Sequence, residues 1–304
     1  MVLVSVIIPT WHGKTELLRR AVDSVLAQTY ENVEVVLVDD NGDAASASYR
    51  ENARRLAESY GERVVYIQNT GNIGGALSRN HGIEHAKGDY ITFLDDDDRY
   101  LPKKVENQLV YMQENGLDMC FTELRFCNYQ DKTVDYREHL GLEGFDRKSL
   151  LRRHLMHHII GTPTFMYKRK AIEKVGGFDD AKVSQEWYLM YKTIMTDGIK
   201  IGYYPHCDVV AYRNPTGGIS GGPHKIAWEK KLYQFKKRHF DLLSKKEQRY
   251  VTFRFYAVLT AAAKRNRKYL LALGYLCRCF FTSPCNFFRE LIHMAQKRRQ
   301  YKFK

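Results

Sequence analysis

The chain has 304 residues, 44% hydrophobic and 27% charged, with a formal net charge of +13. That is the balance of a folded protein large enough for one big domain or two, and it excludes a disordered chain. No run of eighteen residues escapes charged or polar interruption, which argues against a spanning helix, and six scattered cysteines make no disulfide framework.

The opening "MVLVSVIIPTW" lacks the basic flank of a signal peptide and reads as a strand, so a reducing, cytoplasmic setting is expected. "LVSVII", "VEVVLV", "RVVYI" and "YITFL" are short β-branched runs of the kind buried in a parallel sheet. Between the first two, "ELLRRAVDSVLAQ" places Leu17, Leu18, Ala21, Val22, Val25 and Leu26 on one helical stripe. Two further helices are predicted near 45–60 and 75–86. Strand and helix in alternation give a parallel α/β sheet. Ligands gather beyond the carboxyl ends of such strands, and here those ends read "PTWHG", "DDNGD", "QNTGNIGG" and "DDDDRY". No G-x-G-x-x-G follows the first strand, so a dinucleotide cofactor is not expected. Four successive carboxylates, Asp95 to Asp98, repel one another unless a cation or hydrogen bonds compensate. They are therefore either a solvated acidic turn or a metal site.

Beyond residue 115 the pattern changes. "LDMCFTELRFCNY" predicts strands, "DRKSLLRRHLMHH" a helix, and "TPTFMYKRKAIEKVGGFDD" a strand, a helix and a Gly-Gly turn. "SQEWYLMYKTIMTDG" predicts a helix, "IKIGYYPHCDVVAYR" extended chain, and "NPTGGISGGPHK" a loop. The remainder reads as basic helix. Residues 223–304 hold 21 Lys and Arg against 4 Asp and Glu, or +17, whereas residues 1–222 hold 27 against 31, or −4. An acidic body with so basic a tail predicts an anionic partner for the tail.

Several motifs in order, "VSVIIPTW", "AVDSVLAQTYENVEVVLVDDNG", "NIGGALSRNHGIEHAKGDYITFLDDDDRYLP", "KAIEKVGGFDD" and "SQEWYL", resemble the family 2 glycosyltransferases over about residues 3–215. The resemblance implies a GT-A fold, a Rossmann-like α/β architecture with a mostly parallel central sheet. It implies a catalytic domain over 1–222, with a nucleotide-sugar half at 1–115 and an acceptor half at 116–222. A basic helical region at 223–304 would follow. The implied activity is inverting transfer of a sugar from a nucleoside-diphosphate donor, UDP-linked on the strength of Asp40, to an acceptor hydroxyl. The implied acceptor is a glycan or lipid-linked molecule in bacterial cell-surface polysaccharide or glycolipid synthesis.

The same resemblance assigns residues. Mg²⁺ or Mn²⁺ would be held by a D-x-D element, Asp97 first and Asp95 with it, Asp95 also standing near the ribose and Asp96 or Asp98 supporting from behind. Pro9 and Thr10 match positions lining the nucleobase, and Asp40 matches an acceptor for the uracil ring N–H. Trp11 and His12 stand where tyrosine and asparagine are more usual. Arg79 matches a basic residue near the phosphates. Glu186, in "QEW", matches the general base, where aspartate is commoner, with Asp180 as an alternative. His224 in the glycine-rich loop would add a metal ligand.

Other features carry less. His154, His157 and His158 share a helix and are expected to be packed or solvated rather than metal-bound. Cys277, Cys279 and Cys285 lack paired zinc spacing. "YLLALGYLCRCFFTSPCNFFRELI", flanked by "KRNRK" and "QKRRQYKFK", reads as a membrane-surface element on the inner face of the cell membrane, or as helices packed on the catalytic domain. A nucleic-acid-binding protein would explain the tail, but the acidic strand ends would repel a polyanion. A non-catalytic relative that binds or scaffolds is the other alternative.

Overall fold

The structure, a computed structural model, describes residues 1–139, 141–142, 144–181, 183–213 and 224–302. In chain order the elements begin β1 (Val4–Thr10), α1 (Thr15–Leu26), β2 (Val33–Asp39), α2 (Ala47–Glu58), β3 (Val64–Gln68), α3 (Gly75–His85) and β4 (Tyr90–Phe93). They continue β5 (Arg99–Tyr100), α4 (Lys104–Glu114), β6 (Met119–Phe121), β7 (Leu124–Cys127), β8 (Thr133–Arg137), α5 (Arg147–His157), β9 (Met166–Lys168), α6 (Arg169–Val175), α7 (Gln185–Met195), β10 (Ile201–Tyr203) and β11 (Val209–Tyr212). Four helices follow: α8 (Lys225–Lys237), α9 (Lys245–Arg265), α10 (Tyr269–Thr282) and α11 (Pro284–Lys302). The glycine-rich loop expected at 214–225 lies outside the described residues except for its last two.

A seven-stranded sheet runs β10-β6-β9-β4-β1-β2-β3. Strands β3, β2, β1 and β4 pair in parallel, β10 pairs in parallel with β6, and β9 runs antiparallel to both of its neighbours. The mostly parallel sheet expected from the alternating pattern is thus present. Strands β1 and β2 are apolar on both faces because helices cover both, and Val6, Ile7, Val35 and Val36 are wholly buried. Helix α1 presents Leu18, Ala21, Val22 and Val25 to the same core. Burying each such side chain contributes about 1.5–3 kcal/mol at most for the larger ones. Helix α3 comes unusually close to the sheet. A Cβ on Gly82 would lie 2.5 Å from Ile7 and 3.1 Å from Val38, so only glycine permits that approach. A smaller sheet joins β5 antiparallel to β11 and β11 parallel to β7.

Two compact units divide the chain. The first comprises 1–127, 136–141 and 159–212, and the second comprises 128–135, 142–158 and 213–304. The second unit takes in α5 as well as the helices after residue 213. The reason is local packing: Arg152 on α5 pairs with Glu247 on α9, and the His157 ring meets that of Tyr250 at a tilt. Helix α9 opens with a capping box, Ser244 and Glu247 each satisfying the other's backbone N–H. Among the described residues no helix is long and apolar enough to cross a membrane.

Candidate active site

Every residue expected to bind donor or cation, apart from His224, belongs to the first unit, and all of these but Arg79, which lies within α3, stand at or near a strand's carboxyl end. At the end of β1, the Thr10 hydroxyl donates to Asp96 Oδ2 at 2.6 Å. Gly13 makes room for that bond, since a Cβ there would fall 2.4 Å from Asp96 Oδ2 and 2.5 Å from Thr10 Oγ1. His12 takes a left-handed backbone (φ 52°), donates its N–H to Asn41 Oδ1 at 2.9 Å, and holds Ser46 through Nε2 at 2.6 Å. Its ring lies between those of Trp11 and Tyr49, at 4.3 and 4.5 Å, so the two unusual residues of "PTWH" form part of an aromatic stack.

At the end of β2, Asp40 is buried and occupied. Its Oδ1 accepts from Asn69 Nδ2 at 2.8 Å and from the Ile73 N–H at 2.9 Å, and its Oδ2 accepts from the Gly74 N–H at 2.9 Å. Two of its four lone-pair positions therefore hold the "NIGG" turn and a third holds Asn69, leaving one on Oδ2. Gly42 lets that turn approach, because a Cβ there would sit 2.3 Å from the Gly71 nitrogen.

The four aspartates after β4 separate by partner. Asp95 pairs with Arg79. Asp96 takes the Thr10 hydroxyl, and Asp98 accepts the Tyr212 N–H at 2.9 Å from the smaller sheet. The Asp97 carboxylate has no side-chain partner among the described residues, although Arg20 donates to the Asp97 main-chain carbonyl. Arg20 itself lies over the Tyr212 ring, 3.8 Å from its centroid.

This arrangement opposes ionisation. Burial, with the charges of Asp97 and Asp95 adding to it against the Thr10 hydroxyl, pushes Asp96 up to about 7. Burial and the charge of Asp95 push Asp97 up to about 6, and burial, Asp95 and Asp97 together raise Asp98 well above the usual carboxylate range. Clustered, partly buried oxygen donors whose negative charge is under-compensated are a donor set suited to Mg²⁺ or Mn²⁺.

A pH dependence follows. Folded pKa values raised above the unfolded carboxylate value give stability that is full below about pH 4 and lost as pH rises through about 6–7. Mg²⁺ favours the ionised forms, so its stabilising effect grows over the same window. The thermal shift on adding Mg²⁺ to the chelator-treated protein is expected to be clearly larger at pH 8 than at pH 5.5. Taking the difference with and without Mg²⁺ removes other titrating groups such as Lys104, which burial pushes down to about 7.

Arg79, 7% exposed, joins the two halves of the site. One guanidinium nitrogen donates to Asp95, and Nη1 donates to the Gly75 carbonyl at 2.9 Å and to Gln185 Oε1 at 3.0 Å. Gln185 opens α7, and Glu186 follows it in the first turn. Ser184, just before, holds a left-handed conformation (φ 64°), a non-glycine strain of about 1 kcal/mol that sets how α7 begins. Glu186 is half-buried and has no hydrogen-bond or ion-pair partner among the described residues. Asp180 is exposed in the turn upstream.

His224 belongs to the second unit, where it is exposed at the start of α8. His154 is wholly buried, His158 just after α5 is bonded to Lys236, and His157 is exposed beside Tyr250. Arg20, Gly13, Asn69 and Gln185 were not read from the sequence. Arg20 looks like any surface arginine on α1, and the other three act through neighbours distant in the chain.

A glycosyl transferase family 2 model matches residues 5–176. The chain belongs to that family. A glycosyltransferase of Rickettsia typhi is 30% identical over 213 residues, covering 67% of this chain and 61% of the relative. A glycosyl transferase of Escherichia coli K12 named for colanic acid biosynthesis, WcaA, is 27% identical over 277 residues, covering 88% of this chain and 96% of that one. This family 2 chain thus spans about three fifths of the Rickettsia relative. Among solved structures, Staphylococcus aureus TarS 1–349 with UDP-GlcNAc matches with TM-score 0.59 and 16% identity, over 90% of this chain and 91% of that one. A Pyrobaculum calidifontis mannosyltransferase with GDP-Man and Mn²⁺ matches with TM-score 0.57 and 18% identity, over 97% and 84%. The fold of this family 2 member is GT-A.

Proposed function

We propose that the chain is an inverting, metal-dependent glycosyltransferase that moves a sugar from a nucleoside-diphosphate donor to an acceptor hydroxyl in cell-surface polysaccharide or glycolipid synthesis. The observation that carries this reading is Arg79, whose one guanidinium ties the aspartate cluster to the turn that presents Glu186. A leaving-group site and a base site are thereby held in one frame, as a displacement at an anomeric carbon requires. Membership of family 2, the colanic acid name of one relative, and the nucleotide sugars bound by two structural neighbours support it.

In this reading Pro9, Thr10 and Asp40 border the nucleoside, with the last lone pair of Asp40 available to an imide N–H. Asp97 and Asp95 hold Mg²⁺ or Mn²⁺, which when bound neutralises the diphosphate leaving group. Asp96 and Asp98 are fixed by Thr10 and Tyr212 and supply charge from behind. Arg79 orients Asp95 and adds positive charge near the phosphates. Glu186, without a competing partner, takes the acceptor proton. The test is release of nucleoside diphosphate from a panel of UDP- and GDP-sugars with Mn²⁺ or chelator. Metal-dependent turnover of one donor supports the reading, and binding without turnover by any of them supports a scaffold instead.

The tail is proposed to lie on an anionic membrane surface, which places the enzyme on the cytoplasmic face beside a lipid-linked acceptor. Leu270, Leu273 and Phe281 on α10, and Phe288, Leu291 and Ile292 on α11, are exposed, Leu270 by 88%. Lys264, Arg265, Arg267 and Lys268 flank them, each contributing about 1 kcal/mol near an anionic leaflet. Vesicles containing phosphatidylserine should sediment the protein at low salt and release it at high salt. Leu270→Glu combined with Phe281→Glu should lower binding at least tenfold, and equal binding by the variant would refute the apolar contact.

A further inference from the structure

Helix α3 continues past Arg79 into "HGIEH", residues 81–85. Positions i, i+3 and i+4 share a helix face, so His81, Glu84 and His85 stand together. Their ligand atoms all lie within 4.8 Å of one another, and the two imidazoles meet edge to face at 4.6 Å. Glu84 and His85 are exposed and His81 is half-buried.

Hydrogen bonds fix both tautomers. His85 Nδ1 lies 2.9 Å from the main-chain carbonyl of His81, an oxygen that can only accept, so Nδ1 carries the proton. His81 Nδ1 lies 2.6 Å from Asn69 Oδ1. The orientation of Asn69 is set by its own amide, which donates to Asp40 Oδ1 at 2.8 Å and Ser78 Oγ at 3.0 Å. The oxygen of Asn69 therefore faces His81 and accepts. Each neutral ring is left with its lone pair on Nε2, and neither Nε2 has a partner among the described residues. An imidazole whose far nitrogen donates to a fixed oxygen is the form that binds metal.

We propose that His81, Glu84 and His85 form a site for a divalent transition metal, Zn²⁺ by the chemistry of its donors, with water in the fourth position. Two imidazoles and a carboxylate match zinc, whereas the all-oxygen aspartate cluster matches Mg²⁺ or Mn²⁺. Tetrahedral zinc with bonds of about 2.0–2.1 Å needs its ligand atoms about 3.3 Å apart. Rotation of the exposed Glu84 side chain, with small shifts of the rings that keep the bond from His85 Nδ1 to the His81 carbonyl, closes the present spacing. The site is independent of the sugar-transfer reading.

The experiment titrates the metal-stripped full chain with Co²⁺ under a large excess of Mg²⁺, which occupies the aspartates. The expected result is a visible nitrogen-and-oxygen Co²⁺ spectrum that saturates at one equivalent and is abolished by one equivalent of Zn²⁺. His85→Ala and Glu84→Ala should each weaken binding at least tenfold, while Asp97→Ala leaves it unchanged. Both side chains are exposed, so neither variant threatens folding. Absence of the spectrum, equal affinity in both variants, or a thiolate charge-transfer band pointing to the exposed Cys277 and Cys285 would overturn the site.

Discussion

Asp97→Ala is expected to remove metal-dependent sugar transfer, lowering kcat/KM by about 10³-fold or more, with little loss of stability. Its carboxylate bonds to no other side chain described, so its deletion breaks nothing in the fold. The substitution also removes one of the charges that oppose ionisation of Asp96 and Asp98, and the Tm in chelator should hold or rise. Asp98→Ala provides the contrast. It deletes the acceptor of the buried Tyr212 N–H and should lower Tm as well as activity, an unsatisfied buried donor costing about 1–3 kcal/mol. Donor turnover and thermal unfolding, measured on both variants with and without Mn²⁺, separate the two roles. Intact metal-dependent turnover in Asp97→Ala would sink the assignment.

Glu186→Gln should lower kcat by about 10²–10⁴-fold while the KM for the donor stays close to that of the parent. Glutamine preserves the shape and the first turn of α7, and no hydrogen bond from a described residue is lost. Glu186→Asp, one methylene shorter, should recover part of the activity. Near-normal transfer by Glu186→Gln with unchanged donor binding would move the base elsewhere, Asp180 being the next residue to test.

Much of this was legible in the sequence. The β-branched runs became β1 to β4 within a residue or two at most ends, and the apolar stripe of α1 buried four of its six members. The motifs also located the carboxylates at the strand ends. They did not show which aspartate does what, since four identical residues offer no distinction along the chain. Nor did they show the tie from Arg79 to Gln185, which spans 106 positions, or the occupation of Asp40 by the "NIGG" turn. Nor does the spacing of "HGIEH" by itself mark a metal site. Its significance rests on Asn69, twelve residues upstream of His81, and no pattern in the helix alone reveals that contact.

The sequence by itself determined the alternation of elements, the parallel sheet and the collection of acidic groups at its carboxyl edge. Those properties depend on side-chain type and period, which are local. The tertiary structure alone decided the division of labour within Asp95–Asp98. Thr10, Arg79 and Tyr212 each claim one carboxylate, and the Asp97 carboxylate is left without a side-chain partner. Charge and hydrogen bonding act through space, and only folding brings those partners to the end of β4.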